Sequence, residues 1–334
     1  MTQEDTMPRT RHGPEGLQHL FLVGSPRSGT TWLQLLLAQH EQVVTAKETQ
    51  LFTQYVNRLR ERWAEELHEA ETGTTNGLSR VLSDSQFNEA IRAFSDRVFA
   101  ILRQEKASAS VMLEKSPEHA LHADSILKVY PQAMFLHIIR DPRAVSNSFR
   151  HAAHSWWSAA PSGPIETTRR WRKNVLAGRS IADLTPQYRE VRYEDLLDDG
   201  ERVLMRVFAW IGLEADNHFC QSALETCRIE NLRGNRTNKM VQPWNLDREP
   251  QGFFRSGRED SWRADLSSKD IALIEYEVGD LMQSLGYDPA SNPGPHYRAR
   301  LRRRIHKLYN HAYLAALELG HRIEWRMRRF LSRL

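Results

Sequence analysis

Residues 21–33 read FLVGSPRSGTTWL. An apolar run ends at Gly24, a turn of small residues follows it, and a helical pattern begins at about Thr30. In this order of strand, turn and helix, the backbone N–H groups of the turn and the positive end of the helix dipole point at one place. The sequence therefore predicts a cradle for an anion, to which Arg27 adds a positive charge.

The two glycines of this turn have the spacing of a phosphate-binding loop, Gly24-x4-Gly29. The lysine that follows in such loops is absent, and Thr30-Thr31 stands in its place. A loop without that lysine is poorly equipped to hold a nucleoside triphosphate with magnesium. It can still hold a simpler anion.

The bulk composition is that of a soluble globular protein, with 334 residues of which 40% are hydrophobic and 26% charged. The sequence contains no apolar run near the length of a membrane span. Residues 1–16 are polar, and we expect a flexible leader there rather than a secretory signal. Cys220 and Cys227 lie in a helical pattern, which favours reduced thiols and a cytoplasmic protein.

Positive charge is concentrated in residues 297–334, which hold eleven Lys or Arg residues and two Glu, a net charge of +9. The whole chain carries +4, so the other 296 residues carry −5. Apolar residues recur in this tail at steps of three or four, which predicts a basic amphipathic helix. We expect it to contact an anionic membrane surface, or to pack on the body or a second subunit. No recognition motif accompanies the charge, which argues against nucleic acid as a partner.

Short uncharged segments alternate with longer helical patterns, which predicts an α/β fold with a parallel β-sheet flanked by helices. The predicted strands are Leu17–Gly24, Val43–Ala46, Val111–Leu113, Ala133–Ile139 and Glu190–Arg192. The main predicted helices are Thr30–His40, His119–Val129, Ala144–Arg150, Glu166–Arg179, Asp198–Gly212, Asp216–Cys227 and Ser267–Gly286. Ligands of such sheets bind beyond the carboxyl ends of the strands, where the turns after Val23, Leu113 and Ile139 lie.

A second string, FLHIIRDPRAVSNS at residues 135–148, runs from a strand into a helix. Its Arg140 stands at the strand end, where a guanidinium group can form paired hydrogen bonds with phosphate oxygens. Ser148 follows two helical turns later and can donate its hydroxyl to the same anion.

The first string resembles the 5′-phosphosulfate loop of sulfotransferases that use 3′-phosphoadenosine-5′-phosphosulfate (PAPS), and the second resembles their 3′-phosphate segment. A third string, FRSGREDSWR at residues 254–263, is similar to the family's late segment Arg-Lys-Gly-x-x-Gly-Asp-Trp-Lys. Arg255, Gly257 and Trp262 match that segment, whereas Ser256 and Arg263 replace its lysines. A fourth string, VRYEDLL at residues 191–197, resembles the strand-end tyrosine segment beside the nucleotide.

The resemblance covers about residues 18–288 and is closest to the tyrosyl, carbohydrate and bacterial sulfotransferases. It implies a P-loop-like sulfotransferase domain over residues 17–290, with PAPS as donor and 3′,5′-diphosphoadenosine (PAP) as product. It also implies an acceptor hydroxyl on a small molecule, sugar or lipid, with no metal required. The implied cofactor-binding residues are Arg27, Ser28, Gly29, Thr30, Thr31, Trp32, Arg140, Ser148, Tyr193, Arg255, Ser256 and Gly257.

Two residues compete as the general base that the reaction needs. Glu48 follows the first helix, as a Glu does in the tyrosyl and some carbohydrate members. Cytosolic small-molecule members of the family instead place a His after a later strand. His119, in the string EKSPEH at residues 114–119, is close to the Lys-x-x-x-His spacing that such a site would use. Lys115 matches a lysine that would stabilise the transferring sulfonate and the leaving phosphate. Trp156 and Trp157 are suited to line an acceptor pocket or to pack in the core.

Two other functions are compatible with these residues. One is a P-loop nucleotide kinase that has lost its lysine, against which the missing magnesium carboxylate argues. The other is a non-catalytic, membrane-associated nucleotide-binding module, which would bind nucleotide without turnover.

Overall fold

A computed structural model describes residues 17–234 except 72, 74 and 75, and residues 250–290 except 251, 255 and 256. Four of the predictions made above lie outside the described residues: the leader 1–16, the helical tail 297–334, and the cofactor ligands Arg255 and Ser256. The described part holds a single sheet with helices on both faces.

The sheet has five strands in the order β2-β3-β1-β4-β5, and every neighbouring pair is parallel. The strands are β1 (Gln18–Gly24), β2 (Val43–Thr45), β3 (Val111–Lys115), β4 (Met134–Ile139) and β5 (Tyr188–Arg192). In the register, Leu22 lies opposite Lys115, Gly24 opposite Ile138, and Ile139 opposite Arg192. The carboxyl ends of β1, β3, β4 and β5 therefore meet at one edge, which confirms the predicted parallel sheet.

Twelve α-helices lie within the described residues. They are α1 (Thr30–Ala38), α2 (Asn57–Glu71), α3 (Asp84–Arg103), α4 (Ala123–Val129), α5 (Pro142–Ser155), α6 (Pro164–Ser180), α7 (Tyr193–Asp198), α8 (Gly200–Ile211), α9 (Asn217–Thr226), α10 (Ile229–Gly234), α11 (Trp262–Asp265) and α12 (Ser268–Ser284). A π-helical segment, Leu51–Val56, leads into α2, and a 3₁₀ segment, Pro117–His122, leads into α4. The hydroxyl of Ser267 accepts a hydrogen bond from the N–H of Asp270, as expected of an N-cap.

Both faces of the sheet are buried, because successive side chains of a strand point to opposite sides. On one face, Leu20 and Leu22 of β1 pack with side chains of α1 and α8. On the other, Phe21 and Val23 pack with the π-helical segment, α3 and α4. A third apolar cluster joins α5, α6 and α12. The central strands therefore hold their ends rigidly, which fixes the turns that follow them.

The structure differs from the sequence-based prediction in several elements, of which the following are the most informative. Strand β3 continues to Lys115 rather than ending at Leu113, because Glu114 and Lys115 are buried despite their charge. Helix α7 follows β5 directly, and neither it nor α10 and α11 is among the predicted helices. The first residues of the predicted helix His119–Val129 form the end of the 3₁₀ segment.

Both cysteines, Cys220 and Cys227, are buried free thiols, in agreement with the prediction. Across the described ranges, no helix is both long and apolar enough to span a membrane.

Candidate active site

The loop between β1 and α1 is built from backbone conformations that need glycine. Gly24 has φ 155°, and a Cβ there would lie 2.5 Å from the carbonyl oxygen of Ile138. Gly29 has φ 93°, and a Cβ there would lie 2.4 Å from the Tyr193 ring. Arg27 adopts a left-handed conformation with φ 73°. The loop thus packs closely between β4 and α7 and ends on the first N–H groups of α1.

Arg140, at the end of β4, lies against the ring of Tyr193, with its guanidinium carbon 4.0 Å from the ring centre. Its Nη atoms donate to the carbonyl oxygens of Arg27 (3.3 Å) and Arg258 (3.1 Å). Among the described residues, its buried Nε and the buried hydroxyl of Ser28 have no hydrogen-bond partner. Buried polar atoms are normally paired, so these two donors fit an anionic ligand.

A small cavity of about 90 Å³ lies beside these groups. Every predicted cofactor ligand in the described part of the chain lines it except Ser28, which is buried. Its lining is Arg27, Gly29, Thr30, Thr31, Trp32, Arg140, Ser148, Tyr193, Ile229, Phe253, Phe254 and Gly257. Three of these residues were not predicted from the sequence. Phe253 directly precedes the third string and Phe254 begins it, whereas no motif in the sequence indicates Ile229. We call this cavity the nucleotide pocket.

Arg27 stands at the boundary of the nucleotide pocket. Its Nε donates to the Ser148 hydroxyl (3.1 Å), and an Nη donates to the carbonyl oxygen of Phe253 (3.1 Å). Its guanidinium carbon lies 5.3 Å from the ring centre of Trp156 and 5.0 Å from that of Phe253. The side chain therefore joins the loop, α5 and the segment before Gly257.

A second cavity, of about 480 Å³, opens on the other side of Arg27, and we call it the acceptor cleft. It shares Arg27, Thr30, Thr31 and Phe253 with the nucleotide pocket. Its remaining lining is Pro26, Lys47, Glu48, Gln50, Lys115, Pro117, Glu118, Trp156, Trp157, Arg170 and Pro250. The predicted tryptophan pair therefore lies in this wall, whereas Trp171 is fully buried and donates to the carbonyl oxygen of Arg140.

Glu48 and Lys115 meet at the floor of the acceptor cleft. The Nζ atom of Lys115 lies 2.5 Å from Oε1 of Glu48 and 3.2 Å from the hydroxyl of Thr31. The side chain of Lys115 is 4% exposed and that of Glu48 is 34% exposed. The side-chain amide of Gln50 donates from Nε2 to the other carboxylate oxygen of Glu48, Oε2, at 3.0 Å. The carboxylate is thus held by two donors and still faces the cleft.

His119, the competing base, does not reach the acceptor cleft. Its ring is fully buried, and its Nε2 accepts a hydrogen bond from the N–H of Phe52 at 3.2 Å. Burial lowers the pKa of His119 to about 3, so the imidazole is neutral. The geometry therefore does not support His119 as a base that touches an acceptor, a correction to its sequence-based assignment.

A model of the sulfotransferase family matches residues 19–217. Protein-tyrosine sulfotransferase A of Caenorhabditis elegans is 25% identical over 83% of this chain and 69% of its own length. The omega-hydroxy-beta-dihydromenaquinone-9 sulfotransferase of Mycobacterium tuberculosis is 32% identical over 30% of this chain and 28% of its own length. Among solved structures, the sulfotransferase domain of the curacin biosynthetic pathway has a TM-score of 0.52 at 16% identity, over 81% of this chain and 98% of that domain.

Proposed function

Because this chain belongs to the sulfotransferase family, whose sulfuryl donor is PAPS, we propose that Glu48 is its general base and removes the proton of an acceptor hydroxyl. The observation that carries this proposal is the pairing of Glu48 with the buried Lys115 in a cleft that adjoins the anion loop. General-base catalysis needs a proton acceptor within reach of the hydroxyl. A fixed cation in the same cleft can stabilise the charge that develops on the transferring group.

The residues around the loop fit the nucleotide. The Arg140 and Ser28 donors that lack a partner within the described ranges, together with the open N-terminus of α1, can bind anionic oxygens. The Tyr193 ring supports the Arg140 guanidinium. When bound, the donor supplies the sulfuryl group and leaves as PAP. We assign Arg140, Ser148 and Gly257 to the 3′-phosphate, and Arg27 and residues 28–32 to the 5′ end.

Lys115 would stabilise the negative charge that develops on the transferring group, because its ammonium lies between Glu48 and Thr31. Its position at the end of β3, a buried strand, fixes that charge in place before the reaction begins. The pair therefore combines a proton acceptor and a cation on two adjacent elements of the cleft.

For the acceptor, we propose a hydroxyl on a sugar, a lipid or another small molecule. The wall formed by Trp156, Trp157 and Phe253 suits a flat or apolar body. The names of two relatives, a tyrosine and a menaquinone sulfotransferase, support an acceptor of this hydroxyl-bearing kind.

We also propose a cytoplasmic location, which the free thiols support, and peripheral membrane contact through residues 297–334. Removing residues 297–334 should abolish sedimentation of the protein with anionic vesicles. Failure of the intact chain to sediment with those vesicles would contradict the membrane contact.

The proposed base is tested by Glu48→Gln, with transfer of labelled sulfate from PAPS to a panel of 4-nitrophenol, a tyrosyl peptide, a monosaccharide and a prenyl alcohol. We expect kcat to fall by at least about 100-fold, the usual worth of a general base, while calorimetry shows unchanged PAP affinity. Glu118→Gln is the control, since Glu118 lines the same cleft but pairs with Arg170. It should alter only the KM of the acceptor. Undiminished turnover by the Glu48 variant would exclude that residue as the base.

A further inference from the structure

Three buried polar side chains behind the acceptor cleft are not used by the proposed chemistry. Glu114, Ser116 and His119 come from the end of β3 and the turn that follows, and none of them is more than 2% exposed. The Ser116 hydroxyl donates to Oε1 of Glu114 at 2.7 Å. Burying such groups is costly unless they are bonded, so their partners indicate what they do.

Their partners lie in one segment, residues 48–52, which carries Glu48. The N–H of Gln50 donates to the Ser116 hydroxyl, and the N–H of Phe52 donates to Nε2 of His119, both at 3.2 Å. These are N–H groups at the start of the π-helical segment, which have no partner within a helix. Side chains about 66 residues away in sequence therefore fasten the chain immediately after Glu48.

The backbone conformation of residues 48–52 needs hydrogen bonds of this kind to stabilise it. Gln50 has φ 54°, a left-handed conformation that is uncommon for residues other than glycine. The turns that follow it are π-helical, which is rare and frequently found at functional sites. A conformation of this kind persists only where surrounding contacts hold it.

The hydrogen bond from Phe52 also fixes the tautomer of His119. Since Nε2 accepts that bond, the proton of the neutral ring is on Nδ1, which lies 3.8 Å from Oε1 of Glu114. Burial raises the pKa of Glu114 to about 7, although bonds from Ser116 and Thr49 and the charge of Lys115 oppose the shift. The cluster thus links the sheet to residues on both sides of Gln50.

We propose that Glu114, Ser116 and His119 form a positioning cluster, which holds residues 48–52 so that the Glu48 carboxylate stays beside Lys115 and faces the cleft. This inference rests on the proposed role of Glu48. The three residues touch neither the nucleotide pocket nor the acceptor cleft, so they act on the reaction only through the segment they hold.

The test compares Ser116→Ala and His119→Phe, which remove an acceptor, with His119→Gln, whose amide oxygen can replace Nε2. We expect the first two to lower kcat by about 10- to 100-fold, the scale of a misplaced catalytic group, with PAP affinity unchanged. His119→Gln should recover most of that loss. Ser95→Ala is the matched control, because Ser95 is equally buried but its hydroxyl bonds Ile91 within α3 and Tyr130, not residues 48–52. It should leave kcat unaltered.

A double-mutant cycle separates positioning from a general structural role. In the Glu48→Gln background, Ser116→Ala should cost little further turnover, because both changes remove the same contribution. An equal loss in both backgrounds, with Glu48→Gln itself impaired, would overturn the positioning cluster alone. Full activity of Glu48→Gln would instead overturn the proposed base and this inference with it.

Hydrogen exchange gives a readout that does not depend on activity. Ser116→Ala should speed exchange of the Gln50 amide, and His119→Phe that of the Phe52 amide, in peptides spanning residues 48–56. Unchanged protection of these amides in folded variants would also overturn the inference.

Discussion

Tyr193 holds together several parts of the nucleotide pocket. The face of its ring supports Arg140, its hydroxyl donates to the carbonyl oxygen of Gly257 at 3.0 Å, and Trp32 packs 5.5 Å away, centre to centre. Burial raises the pKa of Tyr193, which keeps its hydroxyl protonated as a donor. Gly29 lies so close to the ring that any side chain there would displace it. Gly29 of the anion loop therefore leaves room for the Tyr193 ring, and through that ring it fixes the position of Arg140.

Gly29→Ala should lower PAP affinity by at least about 10-fold, because the new methyl group would displace Tyr193 and with it an Arg140 bond worth more than 1.4 kcal/mol. Calorimetric titration with PAP measures the loss. Gly212→Ala is the control, since Gly212 also has a positive φ, of 81°, but open space where a Cβ would stand. It should destabilise the fold by about 1 kcal/mol and bind PAP normally. Equal PAP losses in the two variants would contradict the steric argument.

At the scale of elements, the start of α5 is joined to α12 through Arg143. This side chain pairs with Asp141 and Glu275, each at 2.7 Å, and donates to the carbonyl oxygen of Asp288. Its guanidinium carbon also lies 4.1 Å from the ring centre of Trp262 in α11. Arg143, Asp141 and Glu275 are all buried. The cost of removing each charge from water is therefore offset by the opposite charges beside it.

Arg143→Ala should destabilise the protein by about 3 to 5 kcal/mol, because it leaves two carboxylates buried without their cation. Urea unfolding monitored by tryptophan fluorescence measures the change. Arg172→Ala removes a comparable link between α6 and α12, but that pair is exposed, with Asp280 72% accessible. It should cost less than about 1 kcal/mol. A similar loss of unfolding free energy in both variants would mean that burial of the Arg143 network does not increase its contribution to stability.

Elements without charge were predictable from the sequence, and elements with buried charge were not. Strands β1 and β4 are apolar runs, and their predicted bounds differ from the observed ones by one residue at the start. Strand β3 was cut short because Glu114 and Lys115 look like surface residues until their partners are known. Helix α7 starts at Tyr193, immediately after a strand, and no turn residue announces it.

The candidate site, too, has parts that local sequence patterns predict and parts that they do not. The anion loop and Arg140 were found because glycine spacing and a strand-end arginine are local signals. The bonds from residues 50 and 52 to Ser116 and His119 were not, because they join parts of the chain about 66 residues apart. Local patterns thus predict the proposed anion site, whereas the support of the proposed base depends on packing.

On the scale of the whole molecule, the two cavities meet where the ends of β1, β3 and β4 converge. A larger groove of about 1130 Å³ runs along β5 and α8, and of the predicted site residues in the described ranges it contains none. The two cavities that hold the predicted site residues are therefore distinguished by their charges, and by donors without a partner in the described part of the chain, rather than by size. Other buried groups, outside both cavities, make the stability of the molecule depend on pH.

Three histidines lose their charge by burial, which lowers the pKa of His19 to about 4 and those of His119 and His137 to about 3. The unfolded chain protonates all three near pH 6.5, so acid favours unfolding. Glu114 acts in the opposite direction, since its raised pKa of about 7 lets the folded state keep a proton that the unfolded state releases. Near pH 5 the unfolded state binds about two more protons at these four groups, which should raise the free energy of unfolding by about 2.7 kcal/mol per pH unit.

Urea unfolding at several pH values between about 4.5 and 6.5, the window set by these shifts, measures that slope. His137→Gln should reduce it by about half, because it removes one of the two excess protons. His137 suits this test, since it lies in β4 against Tyr188 and Gly178 and touches neither cavity. A slope unaltered by His137→Gln would mean that the imidazole takes up its proton inside the fold. That outcome would contradict its complete burial between the sheet and α6.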